Sequence, residues 1–237
     1  MNKYLMGAAL ATVLAVAGTA EAKHDGFFTG AKVGYSHTTG KLNTITTAKA
    51  YDSGTATFTG ANKGKGGFHG TVFVGHGTSF GKGHFAAALN ASYDSSNAKV
   101  GTYKANNGGA VVTGLFKAAS TETADVKYEP GFGLGLEGRG GVHFGETQKY
   151  LVFFKLGLDY NFAKLKATGD AGTLKDSVKV WSVTPGLGVQ GEINDHLNWT
   201  AGVDYKLAFS ISKTNVANVI KTKPKTFVVN AGLTYHF

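Results

Sequence analysis

The chain has 237 residues, which suits one domain of ordinary size, and its formal charge is +9. It contains no cysteine, so disulfides and thiolate metal sites are excluded. Its mean hydropathy is −0.08, and no stretch after residue 22 approaches the roughly 20 consecutive apolar residues of a membrane-spanning helix, so any membrane crossing has to be made of strands.

The first 22 residues have the three parts of a secretory signal peptide. Lys3 gives a positive start, residues 5–18 form an apolar run, and residues 20–22 spell an A-x-A cleavage site. An uncleaved anchor is the alternative, but this apolar run is too short to cross a bilayer as a helix. The sequence therefore predicts Sec-dependent export with cleavage after Ala22, which leaves residues 23–237 as the mature domain.

From residue 27 onward, apolar residues recur at every second position. The eight predicted strands cover residues 27–36, 68–74, 85–93, 128–137, 150–162, 181–192, 197–207 and 227–237. Each has one apolar face and one face of glycine, polar or charged residues. A soluble β-sandwich also alternates, but its strands are shorter and its apolar face lies inside. Strands of about ten residues are long enough to cross a bilayer when tilted.

Seven charged residues fall on the second face in mid-strand: Lys32, Glu137, Arg139, Lys155, Asp159, Asp204 and Lys206. Charges and glycines suit the crowded interior of a narrow barrel. Because an unpaired buried charge is costly, we expect these residues to form an interior network that pairs across neighbouring strands. A gate on a narrow water or ion path is the alternative role.

Aromatic residues lie near the predicted strand ends, where an amphipathic ring is stable at headgroup depth. These are Tyr35, Tyr93, Tyr128, Tyr150, Tyr160, Trp181, Trp199, Tyr205 and Tyr235. The connections alternate in length, with long gaps at 37–66, 94–125, 163–177 and 209–225 and short gaps at 77–83, 141–148 and 193–196. Long loops at one end and short turns at the other are typical of outer-membrane barrels. The predicted fold is all-β, an eight-stranded antiparallel up-and-down transmembrane β-barrel.

The two ends of this domain carry a family resemblance. The segment FFTGAKVGYS at residues 27–36 is similar to the first strand of the OmpA-like transmembrane barrel and opacity-type surface protein superfamily. The ending LTYHF resembles the assembly signal of those barrels, in which Leu233, Tyr235 and Phe237 would be read by the barrel assembly machinery. The resemblance implies a Gram-negative outer membrane, with its lipid and lipopolysaccharide as neighbours. Since the chain ends at Phe237, we expect no peptidoglycan-binding domain of the kind that OmpA carries.

The positive charge is concentrated in the first and fourth predicted loops, which carry +3 and +4. The basic loop residues are Lys41, Lys49, Lys63, Lys65, Lys213, Lys221, Lys223 and Lys225. Such a surface would attract anionic polymers, for example lipopolysaccharide phosphates or host sulfated glycans. Lysines that are simply solvated and bridge neighbouring lipopolysaccharide are the alternative. Export and barrel patterning argue against nucleic acid as a partner.

Two motifs in the chain lack the context that their chemistry needs. Residues 133–138 spell G-x-G-x-x-G inside a predicted strand, and residues 77–81 spell G-x-S-x-G between two strands. Four histidines fall around the short turns, where we expect solvated side chains and no metal site: His76, His84, His143 and His196. The sequence therefore predicts no catalytic residues and no cofactor.

The pattern as a whole favours a non-enzymatic surface barrel, monomeric, whose four basic loops act in adhesion or envelope integrity. A narrow porin-like channel for small solutes is the alternative, and an enzyme acting on lipid A is a third hypothesis. Eight strands leave an interior just wide enough for side chains to fill, which argues against a wide porin.

Overall fold

The computed structural model describes residues 25–40, 55–106, 123–145, 149–169, 172–209, 211–215 and 218–237. The predicted signal peptide and two of the basic loop residues, Lys41 and Lys49, lie outside these ranges. The side chains of Lys213 and Lys221 also lie outside the description.

Among the described residues, no helix is long and apolar enough to cross a membrane.

The described chain is organised into β-strands that pair antiparallel with their neighbours. The strands are β1 (Gly26–Thr39), β2 (Thr55–Phe80), β3 (Gly83–Asp94), β4 (Asn97–Asn106), β5 (Thr123–Phe144), β6 (Tyr150–Gly169), β7 (Gly172–Glu192), β8 (Leu197–Ala208), β9 (Ile211–Asn215), β10 (Asn218–Thr222) and β11 (Lys225–His236). Strands β9 and β10 form a separate two-stranded hairpin.

Eight of these strands close into a ring in the order β1-β2-β3-β5-β6-β7-β8-β11, and β11 pairs back onto β1. The short strand β4 continues the path of β3 after a break at Ser95 and Ser96, and it pairs with β2 on one side and β5 on the other. The predicted eight-stranded barrel is therefore confirmed. Short connections such as Gly81–Lys82 lie at one end of the ring, which we call the turn end, and the opposite end is the loop end.

One section of the ring presents a continuous apolar outer surface. We call this the belt section, and it includes residues 27–35 of β1, 150–162 of β6 and 227–235 of β11. Its outward side chains are large and exposed, for example Val33, Leu89, Leu156 and Leu187 at 58%, 62%, 51% and 58%. An apolar patch of this extent indicates a surface that is covered by a membrane or by another protein.

Beyond the belt section, the strands continue further toward the loop end than the sequence predicted. The predicted loop at 163–177 is wrong, because β6 runs to Gly169 and β7 starts at Gly172. Alternation persists there with reversed polarity, since Ala163 and Leu165 face inward and Lys164 faces outward. Strands also enter the other three predicted loops, so five of the basic residues assigned to loops lie in strands: Lys63 and Lys65 in β2, Lys213 in β9, Lys221 in β10 and Lys225 in β11. Lys225 opens β11, and Lys223 lies between β10 and β11.

A separate apolar core fills the ring at the loop end. It consists of Ala98, Val100, Val126, Tyr128, Ala163, Leu165, Val178 and Val180. We call this part of the ring the collar, formed by residues 59–65 of β2, 97–102 of β4, 123–130 of β5, 163–169 of β6 and 172–180 of β7. Burial of apolar surface holds the collar together as it would in a water-soluble barrel.

Strand β5 changes face where it passes from the belt section into the collar. The register with β6 shifts between Glu129 and Phe132, and Gly131 within this bulge has φ +71°. A bulge adds a residue to one strand and re-aims the side chains that follow. Tyr128 is consequently 3% exposed and points inward, so its predicted place in the outer aromatic girdle is wrong.

The other predicted girdle residues lie at or near the outer surface. Tyr35, Tyr93, Tyr150, Trp181, Trp199, Tyr205 and Tyr235 are exposed, and Tyr160 is half-buried with its ring 4.9 Å from that of Trp181.

Candidate functional site

The charged residues predicted for the interior are placed there by the inward register of four strands. Lys32 comes from β1, Glu137 and Arg139 from β5, Lys155 and Asp159 from β6, and Asp204 and Lys206 from β8. Six of them are buried and Lys206 is half-buried. In a narrow barrel such groups have to satisfy one another, because water has little access to them.

Glu137 and Lys155 form the centre of the network. Glu137 accepts hydrogen bonds from Arg139 Nε, two residues along the same strand, and from Lys155 Nζ at 3.1 Å. Lys155 Nζ also lies 2.9 Å from Asp204 Oδ2, which accepts a further hydrogen bond from Asn230 Nδ2 at 2.8 Å. The result is a continuous chain of charge-assisted contacts across the barrel.

The pairing differs from the predicted scheme in two respects, because Arg139 and Glu137 pair within one strand and other pairs skip a strand. Lys155 on β6 reaches Asp204 on β8 over the intervening strand β7, so pairs are not confined to neighbouring strands. Strand β7 contributes Gly186 at this level, and a Cβ there would overlap Asp204 Oδ1 and lie 2.7 Å from Lys155 Cε. The glycine is thus required by the close approach of the ion pair.

A second branch of the network lies nearer the loop end. Lys206 Nζ lies 3.9 Å from Asp159 Oδ2 and donates to Asn161 Oδ1 at 3.2 Å. Thr184 donates to Asp159 Oδ2 at 2.5 Å, and Asn161 donates to Ser182 Oγ at 2.9 Å. This branch again spans β6, β7 and β8.

An aromatic septum lies across the barrel directly below the network, toward the turn end. It consists of Phe28, Phe73 and Phe153, all buried. The guanidinium of Arg139 lies 5.5, 4.8 and 5.5 Å from their ring centroids, and Lys32 Nζ lies 5.0 Å from that of Phe73. Cation–π contacts of this kind stabilise a desolvated cation. The septum and the network thus lie at adjacent levels inside the barrel.

A small polar cavity remains above the septum. Its volume is about 30 Å³, and it is lined by Lys32, Glu137, Lys155, Asp159, Asp204, Lys206 and neighbouring polar residues. A cavity of this size is large enough to hold water.

At the loop end of the interior, a polar layer surrounds Asp94. This carboxylate accepts hydrogen bonds from Ser36 Oγ at 2.8 Å and Ser96 Oγ at 2.6 Å, and it lies 3.4 Å from His69 Nδ1. Asp94 also accepts from the backbone N–H of Ser96 at 2.8 Å, which fixes the break between β3 and β4. The sequence pattern does not predict this layer, because its members are single polar residues near the ends of separate strands.

At the turn end, Ser79 lies against two inward histidines. Its Oγ is 3.2 Å from His84 Nδ1 and 3.5 Å from His143 Nε2, and the two rings are 5.6 Å apart. Both histidines are 5% exposed, so the prediction that they are solvated is wrong. Their strands place them on the inward face, His84 in line with Ala86 and Ala88 on β3 and His143 in line with Glu137 and Arg139 on β5.

The other two turn histidines lie elsewhere. His76 is exposed with its ring 5.0 Å from Phe27, and the exposed His196 stacks on Tyr235 at 5.7 Å. Within the described ranges, no group of three or more His, Cys, Asp or Glu side chains is arranged to hold a metal ion.

The outer surface at the loop end is strongly basic. Ten lysines lie on or beside the collar: Lys63, Lys65, Lys99, Lys127, Lys164, Lys166, Lys175, Lys179, Lys223 and Lys225. Of the predicted basic loop residues, Lys63, Lys65, Lys223 and Lys225 are exposed here. Among the described residues, the acids of the same region are Asp125, Glu129 and Asp176. The sequence pattern predicts this charge in loops, whereas much of it lies on the surface of paired strands.

The predicted assembly residues lie on the closing strand and just after it. Leu233 and Tyr235 face outward at 49% and 42% exposure, and the ring of Phe237 lies 5.3 Å from that of Tyr235. The N–H of Phe237 donates to the carbonyl of Phe27 at 3.0 Å, beside the first residues of β1.

The sequence matches one family model over almost its full length. The model of the outer membrane protein beta-barrel domain matches residues 6–237. The sequence has no match among curated proteins.

Several solved structures resemble the chain in fold. The outer membrane protein OprG from Pseudomonas aeruginosa is 15% identical with a TM-score of 0.48, and the alignment covers 92% of this chain and 100% of OprG. Neisserial surface protein A is 15% identical with a TM-score of 0.45, covering 89% and 97% of the two chains. The outer membrane protease OmpT from Escherichia coli is 10% identical with a TM-score of 0.42, covering 92% and 99%. Identities this low carry no information about a shared activity.

Proposed function

The chain belongs to the outer membrane protein beta-barrel domain family, whose members reside in the outer membrane of Gram-negative cells, and on this premise we propose that it is a non-enzymatic surface protein. In this proposal the belt section lies in lipid, and the loop end faces outside the cell, as it does in barrels with short periplasmic turns. The interior seals the barrel, while the basic collar and the loops beyond it make contacts in adhesion or envelope integrity.

The observation that carries the proposal is the filled interior. A conducting pore needs a continuous path, yet the aromatic septum and the network around Glu137 lie inside the barrel at adjacent levels. Lys155 lies between Glu137 and Asp204 at this level, and moving its side chain aside would break both ion pairs. Breaking a buried pair in this way is strongly unfavourable.

Single-channel recording in planar bilayers tests this proposal. We expect no reproducible conductance steps from the wild-type protein, whose folded state is checked by heat-modifiable migration on unboiled gels. The sealed barrel would be overturned if the wild type gave conductance steps and the Arg139→Ala variant gave steps of a different size. They would favour the narrow channel, for which the small charged cavity is the supporting observation.

The non-enzymatic part of the proposal has its own test. Ser79 is the one hydroxyl that the described residues place beside two imidazoles, so it is the natural candidate for a nucleophile. We expect mass spectra of lipid A and of added peptides to be the same with wild-type protein and Ser79→Ala. A product that forms with the wild type and is lost with Ser79→Ala would overturn this part.

We also propose the route by which the protein reaches the membrane. Sec-dependent export with cleavage after Ala22 predicts a mature N-terminus at Lys23, which N-terminal sequencing checks. The outward Leu233 and Tyr235 and the terminal Phe237 suit recognition by the barrel assembly machinery. Deletion of Phe237 should reduce the heat-modifiable fraction, whereas Thr234→Ser on the inward face should not. The proposed assembly is a monomer among lipopolysaccharide molecules, which sedimentation in detergent checks.

A further inference from the structure

Five lysines on the collar lie opposite one another in the strand register. Lys63 of β2 pairs with Lys99 of β4, Lys99 pairs with Lys127 of β5, Lys127 pairs with Lys166 of β6, and Lys166 pairs with Lys175 of β7. We call this set, Lys63, Lys99, Lys127, Lys166 and Lys175, the lysine row. Because adjacent strands are about 4.8 Å apart, the row is about 20 Å long and runs across the strands.

The lysine row lies on the outer face of the collar. Cross-strand partners project to the same face of a sheet. The residues next to row members, such as Val126, Tyr128 and Leu165, are buried in the collar core, so the row projects the other way. Lys63 and Lys175 are exposed, and the three central lysines are half-exposed. All five ammonium groups are thus presented to the surroundings from rigid strands.

The lysine row has a cost in stability that the fold does not require. Like charges directly opposite one another on neighbouring strands are destabilising. In the described part of the chain, one ion pair relieves the row, between Lys99 and Asp125 at 2.5 Å. The adjacent rows behave differently: Glu129 lies opposite Lys164 on one side, and Asp125 lies opposite Thr168 on the other. The lysine row is therefore the register position at which five lysines of neighbouring strands face one another in succession.

The height of the lysine row above the belt section decides which anion it can meet. Lys166 lies four residues beyond the outward Phe162, and Lys175 lies six residues beyond the outward Trp181. At about 3.3 Å per residue and a tilt of about 40°, this places the row about 10–15 Å above the aromatic residues. A headgroup layer is only about 5–8 Å thick, so the row lies above the lipid phosphates.

We propose that the lysine row is a binding site for a linear glycan that carries sulfate or phosphate groups, lying across β2, β4, β5, β6 and β7. This inference rests on the proposed function for one point, that the loop end faces outside the cell. Several anionic groups spaced over about 20 Å would engage successive ammonium groups and relieve their repulsion. A single sulfate would meet two neighbouring lysines at most, so a polymer should bind far more tightly than the free ion.

The test compares two variants that lose the same charge. The row variant changes Lys63, Lys127, Lys166 and Lys175 to Gln, and it leaves the Lys99–Asp125 pair intact. The control variant changes Lys164, Lys179, Lys223 and Lys225 to Gln, which are exposed lysines of the same surface outside the row. Binding of labelled dextran sulfate is measured by fluorescence anisotropy on folded protein in phosphatidylcholine nanodiscs, with neutral dextran and inorganic sulfate as further probes.

We expect the row variant to lose affinity for dextran sulfate about tenfold or more, and the control variant to change much less. The row variant should fold and be at least as heat-stable as the wild type, because repulsion is removed. Equal losses in both variants, or sulfate ion binding as tightly as the polymer, would overturn the site. The site would also be overturned if phosphatidylglycerol in the nanodiscs stabilised the wild type but not the row variant. The lysine row would then bind lipid headgroups.

A binding assay on intact cells separates this inference from the proposed function. Row-dependent binding by the purified protein without binding by cells would support the site and contradict the proposed outward position of the loop end. Conductance by a protein that still binds dextran sulfate through the row would leave the site standing and contradict the sealed barrel.

Discussion

The belt section and the collar share strands such as β6, yet their polarity is opposite. On β6 the belt section turns Leu156 outward and Lys155 inward, and a few residues later the collar turns Lys166 outward and Leu165 inward. The alternation itself is unbroken on this strand. The repeat of two residues determines which side chains share a face of the strand. The medium that surrounds the ring determines which of the two faces is apolar.

The two sections are consequently stabilised by different means. The interior of the belt section depends on ion pairs and hydrogen bonds that satisfy one another, as around Glu137. The collar depends on burial of side chains such as Val178 and Leu165, each of which contributes about 1.5–3 kcal/mol relative to exposure. Equivalent substitutions should therefore have unequal effects in the two sections.

The largest effect is expected from Glu137→Gln. It leaves Arg139 and Lys155 without their shared carboxylate inside the barrel, and breaking a buried ionic network of this kind costs about 3–5 kcal/mol. The same change at the half-exposed Glu129 of the collar, on the same strand, should cost about 1 kcal/mol or less. The free energy of unfolding in lipid vesicles, from urea titration, checks both values. Equal losses would show that the interior is hydrated.

The next effect concerns the outer faces. Leu156→Lys places a charge near the middle of the lipid-facing surface and should cost about 2–4 kcal/mol. Thr168→Lys, outward on the collar end of the same strand, should change the free energy of unfolding by no more than about 0.5 kcal/mol. If both variants unfold at the same urea concentration, the belt section is not in contact with lipid.

The bulge that joins the two sections on β5 should be moderately sensitive. Gly131→Ala should destabilise by about 1–2 kcal/mol, because its φ of +71° disfavours a side chain. A Cβ there would also lie 2.7 Å from the carbonyl oxygen of Phe162. Gly138→Ala is the matched control, since its Cβ would meet nothing within 4 Å. Urea titration should rank the two variants in this order, and the reverse order would contradict the role of the bulge.

The smallest effect is expected from Lys166→Leu on the collar surface. It removes one member of the lysine row, and the free energy of unfolding should change by about 0.5 kcal/mol or less, if anything toward higher stability. The same change at Lys155, on the same strand, strips Glu137 and Asp204 of their cation and should cost about 3–5 kcal/mol. A large loss from Lys166→Leu would mean that this lysine is held by contacts inside the ring.

The sequence pattern was sufficient to predict the eight-stranded ring but not the collar. An apolar row such as Tyr150 to Phe162 is readable because seven outward residues repeat at one spacing. Beyond Phe162 the same spacing continues, but the outward residues are lysines. A strand that is recognised by its apolar outer face is therefore predicted to end at Phe162. The face change at Tyr128 depends on a bulge, whose position one sequence does not specify.

The charged members of the interior network were predictable from the sequence, but their contacts and the polar and aromatic layers around them were not. The inward charges, including Lys155, Asp159 and Asp204, followed from alternation alone. That Lys155 reaches Asp204 over β7 depends on the space left by Gly186, which only the packing reveals. The lysine row depends on register between strands far apart in sequence, such as Lys63 and Lys99.

The most direct test of the inverted polarity is a depth scan along the outer face of β6. The chain has no cysteine, so single cysteines at 154, 156, 158, 162, 164, 166 and 168 can carry a nitroxide in an otherwise unmodified protein. In lipid vesicles, we predict that positions 154–162 are accessible to oxygen and shielded from a water-soluble relaxation agent, and that the preference reverses from 164 onward. Uniform access of the water-soluble agent along the strand, or lipid-like protection at 164–168, would contradict the account.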